Sequence, residues 1–229
     1  MIRLIYSPLW FYGKDIVIDV ISVIVLFLIS FFSFRCYKMQ KSKNHIYLSL
    51  SFFSIALSFL FKILMNFTIY YNVMETSKIG AVTFSYQTMR ATDAFFFFGF
   101  LLYRILTLFG LYMLYSLYHK QSMPNFILVS FLMLMLTYYS QAAYYIFYLT
   151  CLVLLSLITA SLMSNYKKNK FKMTKMLAWS FGIIGFSQIF FILVYIKVYY
   201  YVAGEIIQLV GYLLLLASFA MVLRDAKKD

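Results

Sequence analysis

Apolar residues form seven long runs along the chain, and most charged residues stand in the short stretches between them. The runs cover roughly residues 16–36, 46–71, 92–117, 124–142, 144–164, 175–197 and 201–223. A helix of about 20 apolar residues crosses the ~30 Å hydrocarbon core of a bilayer, because each residue adds ~1.5 Å. The pattern therefore predicts an all-α protein, a polytopic bundle of seven transmembrane helices.

The composition favours a membrane protein over a soluble one. Of the 229 residues, 64% are hydrophobic and 12% are charged, which leaves too few polar side chains to cover a water-exposed surface. The net charge of +13 would suggest a nucleic-acid partner in a soluble protein. Here the lysines lie in short connections, where they set topology and face anionic lipid headgroups. We therefore expect membrane lipids and no nucleic acid as partners of a single membrane domain, residues 1–229.

Lysine and arginine are distributed unequally between the two sides of the predicted bundle. Thirteen stand in the first, third and fifth connections and the C-terminal tail, against five on the opposite side. Because positive residues favour the cytoplasmic side, the sequence predicts an N-terminus outside and a C-terminus inside, in a multi-pass protein of the plasma membrane. The longest connection, residues 72–91, is then external. Val82, Phe84 and Tyr86 alternate there with polar residues, which indicates a short strand or hairpin.

An internal repeat becomes visible when residues 37–62 are aligned without a gap on residues 166–191, since ten of the 26 aligned pairs are identical. The identical residues are Tyr37, Lys38, Lys41, Lys43, Leu48, Ser51, Phe52, Ile55, Ser58 and Phe61, aligned with Tyr166, Lys167, Lys170, Lys172, Leu177, Ser180, Phe181, Ile184, Ser187 and Phe190. The match predicts a 3+1+3 plan, in which the first and last three spans are parallel copies joined by the fourth. On the same plan the third span corresponds to the seventh, and Gly110 falls on Gly211 and Arg104 on Glu205. The alternative is that two segments with a basic loop before an apolar span resemble each other in any case.

Charged residues inside the predicted spans are candidate functional residues, because an ionised side chain in a bilayer is costly. Together with two polar residues of the same helices, the candidates are Asp19, Lys62, Asn66, Asp93, Arg104, Glu205 and Gln208. Helical phase places Lys62 and Asn66 on one stripe of the second span with Ser51, Ser54 and Ser58. Asp19 and Asp93 stand near enough to the outer surface to be hydrated.

These charges have two readings. In one they line an outer-half polar pocket that binds a ligand. In the other they pair with each other for structure alone, Lys62 with Asp19 or Glu205, and Arg104 with Glu205 or a backbone carbonyl. Glu205 is the acid that we expect both cations to share, because it stands deepest of the three acids by sequence position.

Enzyme signatures are missing from the sequence. His45 and His119 stand at span ends, which leaves no intramembrane imidazole for a haem or a metal. No zinc-protease, serine-hydrolase or phosphate-loop motif is present either. We therefore expect no enzymatic activity, no metal and no cofactor.

Several short motifs resemble those of the microbial rhodopsins. Arg90 and Asp93 resemble the R-x-x-D of that family, and Trp179 with Ser180 resembles the W-S that lines its retinal pocket. Glu205, followed by Gly211 and Tyr212, resembles its span-seven acid. The resemblance implies a seven-helix opsin-like fold. The sequence departs from the family at Leu209, where the lysine that binds retinal would stand, so no covalent retinal is expected.

The function we expect is that of a non-enzymatic receptor or sensor, which binds a small ligand or lipid in the outer-half pocket. Its output would need a cytoplasmic signalling partner or a second copy of the chain, because the tail after Leu223 is short. One alternative is a channel or transporter for ions or small solutes that uses the same charges. Another is a structural subunit of a membrane assembly.

Overall fold

A computed structural model describes residues 7–11, 13–76, 82–119, 122–140 and 143–225, and the side chains of these residues except 9, 39–40, 68–76, 82–95 and 222–225. This part of the chain forms seven α-helices and two single 3₁₀ turns, with no strand. The helices are α1 (Lys14–Gln40), α2 (Lys43–Thr76), α3 (Val82–Tyr118), α4 (Met123–Tyr139), α5 (Tyr144–Asn169), α6 (Lys172–Ile192) and α7 (Tyr199–Asp225). The prediction of an all-α protein is confirmed.

Six of these helices, all except α4, are long and apolar enough to cross a membrane, as expected of a multi-pass membrane protein. Their outward faces carry large apolar side chains, such as Phe31, Leu64 and Phe98, that would be unfavourable in water. Several buried serines bond the preceding turn of their own helix, as Ser33 does to the Ile29 carbonyl at 2.9 Å. The bundle therefore presents an apolar surface and keeps its polar groups inside.

Helix α4 is shorter than the predicted span of residues 124–142. It has 17 residues and ends at Tyr139, where the Ser140 amide closes the last turn on the Leu136 carbonyl. The Ser140 hydroxyl also donates to the Thr137 carbonyl at 2.6 Å. Hydropathy did not detect this end because only two polar residues, Ser140 and Gln141, separate Tyr139 from the next apolar run.

The predicted external strand or hairpin is wrong. Helix α2 continues to Thr76 and α3 begins at Val82, so Val82, Phe84 and Tyr86 belong to a helix, and residues 77–81 lie outside the described residues. A continued helix satisfies its own backbone hydrogen bonds, whereas an isolated two-stranded hairpin is only marginally stable. The alternation of only three residues was therefore not sufficient evidence for a strand.

The helices are arranged as two triplets, which we call the first triplet (α1, α2, α3) and the second triplet (α5, α6, α7). Within each triplet the middle helix packs against both of the others. Between the triplets, α1 packs against α7, and α3 packs against α5. Helix α4 packs mainly against α3 and α5. The hydrophobic core includes the fully buried Leu26, Ala56, Ile158, Ala178 and Leu215.

The two turns that the repeat alignment matches have the same backbone geometry. Lys41 has a φ of 50° and donates its amide to the Tyr37 carbonyl at 2.7 Å. Lys170 has a φ of 53° and donates its amide to the Tyr166 carbonyl at 2.7 Å. In the described part of the chain, these lysines are the non-glycine residues with positive φ.

Close helix contacts also occur at aligned positions. A Cβ on Gly110 would lie 2.6 Å from Ile55 Cγ1, and one on Gly211 would lie 2.5 Å from Ile184 Cγ1. The Ser58 hydroxyl donates to the Ile55 carbonyl at 2.6 Å, as the Ser187 hydroxyl does to the Ile184 carbonyl at 2.7 Å. Each glycine therefore allows the last helix of its triplet to approach the middle helix closely. The contact is with Ile55 in the first triplet and with the aligned Ile184 in the second.

Candidate functional site

Lys62 lies at the centre of a buried charge cluster that joins three helices. Its ammonium donates to Asp19 Oδ1 of α1 at 2.8 Å and to Glu205 Oε1 of α7 at 2.6 Å. The exposed fractions of Asp19, Lys62 and Glu205 are 0%, 6% and 1%. The sequence predicted that Lys62 pairs with Asp19 or Glu205, and it pairs with both. The expectation that Asp19 would be hydrated is wrong, because its side chain is fully buried.

The cluster stands at one end of the bundle, because all three residues lie far from the α1–α2 and α5–α6 turns. Asp19 follows the start of α1 by five residues and Glu205 that of α7 by six, which is roughly 8–9 Å of helix. Lys62 reaches them from the second half of α2, with its ammonium 5.3 Å from the centre of the Phe59 ring. Burial of all three requires the first triplet to pack against α7.

Two carboxylates share a single lysine in this cluster, which is an uneven charge balance for a buried site. Among the described residues, the buried Asp19 Oδ2 has no hydrogen-bond partner. An ionised group in a low-dielectric interior is costly unless it is paired and fully hydrogen-bonded. The cluster therefore offers an acceptor position beside Lys62 that a cationic or hydrogen-bond-donating group would occupy favourably.

Arg104 does not share Glu205, and that part of the prediction is wrong. Among the described residues the salt bridges join Lys62 to Asp19 and Glu205, whereas the Arg104 guanidinium donates to the Ser140 carbonyl at 2.8 Å. The guanidinium carbon also lies 3.8 Å from the centre of the Phe100 ring and 4.9 Å from that of Phe147. Arg104 thus caps the carboxyl end of α4, where a cation is favourable.

Two further predicted site residues, Asn66 and Gln208, each lie one turn from a residue of the cluster without joining it. Asn66 follows Lys62 by one turn, and its buried amide nitrogen finds no hydrogen-bond partner in the part of the chain that the structure describes. Gln208 follows Glu205 by one turn and donates to the Tyr212 hydroxyl at 3.3 Å. The side chain of Asp93 lies outside the described residues. The predicted polar stripe of α2 is buried along its described length.

Two cavities that sequence reasoning missed lie between the triplets. The smaller has a volume of about 20 Å³ and is lined in part by Thr107, Gln188 and Gln208. The larger, of about 180 Å³, lies toward the α1–α2 turn and is lined in part by Cys36 and His45. The rings of Phe52 and Phe181 stack 6.5 Å apart and line the larger cavity. No sequence period signals such a cavity, because its lining comes from five or more helices.

The motifs that resemble microbial rhodopsins are only partly placed as that resemblance implies. Trp179 is 58% exposed on the outer face of α6, so its indole does not line an internal pocket, while Ser180 is buried. Tyr212 is buried and faces the ring of Phe59 at 5.6 Å. Within the described residues no three His, Cys, Asp or Glu side chains come together as a metal site requires.

The fold and the cluster define the class of the molecule as a helical membrane bundle with a buried ionic site. Comparison of the chain with protein-family models, with curated proteins and with solved structures finds no match. The resemblance to microbial rhodopsins therefore depends on the sequence motifs alone and stays a prediction.

Proposed function

We propose that the protein is a non-enzymatic receptor or sensor of the plasma membrane, with seven spans, its N-terminus outside and its C-terminus inside. The observation that carries this proposal is the Asp19–Lys62–Glu205 cluster, in which one cation holds acids of two other helices at 2.8 and 2.6 Å. In this orientation the cluster lies in the outer half of the membrane. A small ligand or lipid that reached it from outside would compete for the same contacts.

The cluster is suited to a switch because its bonds connect helices rather than neighbours in sequence. An amine or other donor that engaged Asp19 Oδ2 would draw that carboxylate from Lys62 and weaken the connection between α1 and α2. Lys62 would then be held by Glu205 alone, which changes the packing of α7 against the first triplet. A ligand shifts such an equilibrium only by its difference in affinity for the two arrangements. The moved helices would be read by a cytoplasmic partner or a second copy of the chain.

Distance measurements between the bridged helices test this proposal. Spin labels at Phe34 on α1 and Met221 on α7, both exposed, would be attached after replacement of Cys36 and Cys151. We expect Glu205→Gln to add a second distance population that the parent protein lacks. The matched control is Gln208→Leu, which removes a buried polar group one turn further along α7 without removing a charge.

An unchanged distance distribution in Glu205→Gln, together with reduced stability, would show that the cluster is only structural.

The orientation is tested separately by a cysteine placed at position 170 in intact cells. Labelling of that cysteine by a membrane-impermeant reagent from outside would contradict a cytoplasmic α5–α6 turn, which the lysine asymmetry favours.

A small-solute channel or transporter is the second candidate, and the two cavities between the triplets favour it. Cys36 lines the larger cavity and Cys151 the smaller one. If the Phe52–Phe181 pair closes a path between them, a small cytoplasmic thiol reagent should modify Cys36 in the parent protein. It should reach Cys151 only after Phe52→Ala with Phe181→Ala. A Cys151 that stays unreactive in that variant would remove the support for this candidate.

A further inference from the structure

A groove runs between α1 and α2 on the surface of the first triplet that faces away from the bundle interior. It has a volume of about 520 Å³, and its walls include the rings of Phe27, Phe31 and Phe53. Its floor is narrow because Ser30 and Ser49 bring the helices together through reciprocal bonds, each hydroxyl donating to the other's carbonyl at 2.9 Å. Phe31 and Phe53 are exposed, so the groove opens to the surrounding hydrocarbon.

The end of the groove that lies nearest the α1–α2 turn is basic. The Lys38 ammonium lies 5.2 Å from the centre of the Phe34 ring, and Phe34 is one of the groove walls. Lys43 begins α2 one turn before Tyr47, which also lines the groove, so the two residues share a helix face. Lys41 stands between them in the turn, and all three lysines are exposed.

We propose that this groove binds an anionic glycerophospholipid, with one acyl chain between the phenyl walls and its phosphate on Lys38, Lys41 and Lys43. The occupant follows from the position of the groove, because an apolar slot on a membrane-facing surface meets acyl chains. The charge follows from the lysines, which favour an anionic headgroup over a zwitterionic one. The site is independent of the charge cluster, so the proposed sensor function is not needed for it.

The second triplet provides an internal comparison. Its turn carries Lys167 and Lys172, which the repeat alignment matches with Lys38 and Lys43. When the register of that alignment is continued back to α1, the positions that correspond to Phe27, Phe31 and Phe53 hold Ser156, Ala160 and Gly182, which have no ring to form a wall. The second turn therefore has the charge of the first without the phenyl walls. If the preference for anionic lipid requires both the lysines and the phenyl walls, we expect it at the α1–α2 turn and not at the α5–α6 turn.

Native mass spectrometry of the full chain, released from detergent with phosphatidylglycerol or phosphatidylcholine, tests the site. We expect the parent protein to retain more phosphatidylglycerol. The double variant Lys38→Gln with Lys43→Gln should reduce that excess about tenfold or more, since each lysine near an anionic surface contributes about a fivefold gain. Ile46→Trp, which fills the groove, should reduce retention of both lipids. The control Lys167→Gln with Lys172→Gln should leave the excess unchanged.

Other outcomes would overturn the proposal. An equal loss in the control variant would mean that the chain attracts anionic lipid through its general charge. Equal retention of the two lipids by the parent would mean that only ordinary surface lipid is bound. Unchanged retention in Ile46→Trp would mean that the groove is not the site. Unaltered melting curves of the variants in detergent establish that a loss reflects the site, since every substituted side chain is at least partly exposed.

Discussion

The first and second triplets use opposite chemistry at aligned positions. In the first, Asp19 of α1 pairs with Lys62 of α2 at 2.8 Å. Carried along the same register, these positions correspond to Tyr148 of α5 and Phe191 of α6, whose rings stack 5.1 Å apart at an angle of 20°. An aromatic contact thus joins the two helices of the second triplet where an ion pair joins those of the first.

This difference indicates what the fold requires at that place. In the second triplet the ring contact of Tyr148 with Phe191 takes the place of the ion pair between the corresponding outer and middle helices. Replacing a buried ion pair by apolar residues of similar volume is often neutral or stabilising, so an ion pair is a poor solution for stability alone. The charges of the first triplet are therefore not required by packing alone, which agrees with the proposed function.

Removal of the shared lysine should have the largest effect. Lys62→Met leaves Asp19 and Glu205 buried without a cation, and breaking a buried pair in this way costs about 3–5 kcal/mol. The free energy of unfolding, from denaturant titration in detergent, is the measurement. Phe191→Leu at the aligned position should cost only about 1.5 kcal/mol or less, because it is a modest change of apolar volume. Equal losses would contradict the distinction between the two triplets.

Conversion of the whole charge cluster to apolar side chains should recover most of that loss. The triple variant Asp19→Leu, Lys62→Met, Glu205→Leu leaves no unpaired charge, so its unfolding free energy should lie within about 2 kcal/mol of the parent value. In the spin-label experiment it should give one distance population that does not respond to any ligand. A triple variant as unstable as Lys62→Met would show that the charges are necessary for the fold.

The sequence predicted most of the fold and about half of this site, for physical reasons that differ between residues. Long apolar runs located the helices because a bilayer imposes their length. Helical phase put Lys62 in the interior, and only a few helices could supply its partners. For Arg104 the sequence allowed a backbone carbonyl as partner but did not identify that of Ser140, because phase gives the direction of a side chain but not which helix end lies opposite it. The cavities depend on several helices together, which no local pattern encodes.

The glycines at helix contacts should give intermediate effects. Gly110→Ala and Gly211→Ala would each place a methyl group 2.5–2.6 Å from an isoleucine carbon, so the helices must separate, at a cost of about 1–3 kcal/mol. Gly182→Ala is the matched control, because its nearest neighbour would be Thr159 Cγ2 at 3.7 Å, an ordinary contact. Melting temperatures of the three variants are the measurement. A large loss in one triplet and none in the other would show that the aligned contacts are not equivalent.

The smallest effect is expected at the two turns. Lys41 and Lys170 have φ values of 50° and 53°, a left-handed conformation that costs a side-chain-bearing residue about 1–2 kcal/mol. Glycine adopts it freely but loses more conformational entropy on folding, so Lys41→Gly and Lys170→Gly should each stabilise the protein by only about 0.5–1 kcal/mol. The turns are separate in sequence and belong to different triplets, so the double variant should show the sum of the two gains. Denaturant titration of the single and double variants measures this, with Lys167→Gly inside α5 as a control that should be destabilising. If Lys41→Gly stabilises and Lys170→Gly does not, the two turns are alike in backbone geometry only. The predicted repeat would then lose the structural evidence that the turns now provide in addition to the identical residues.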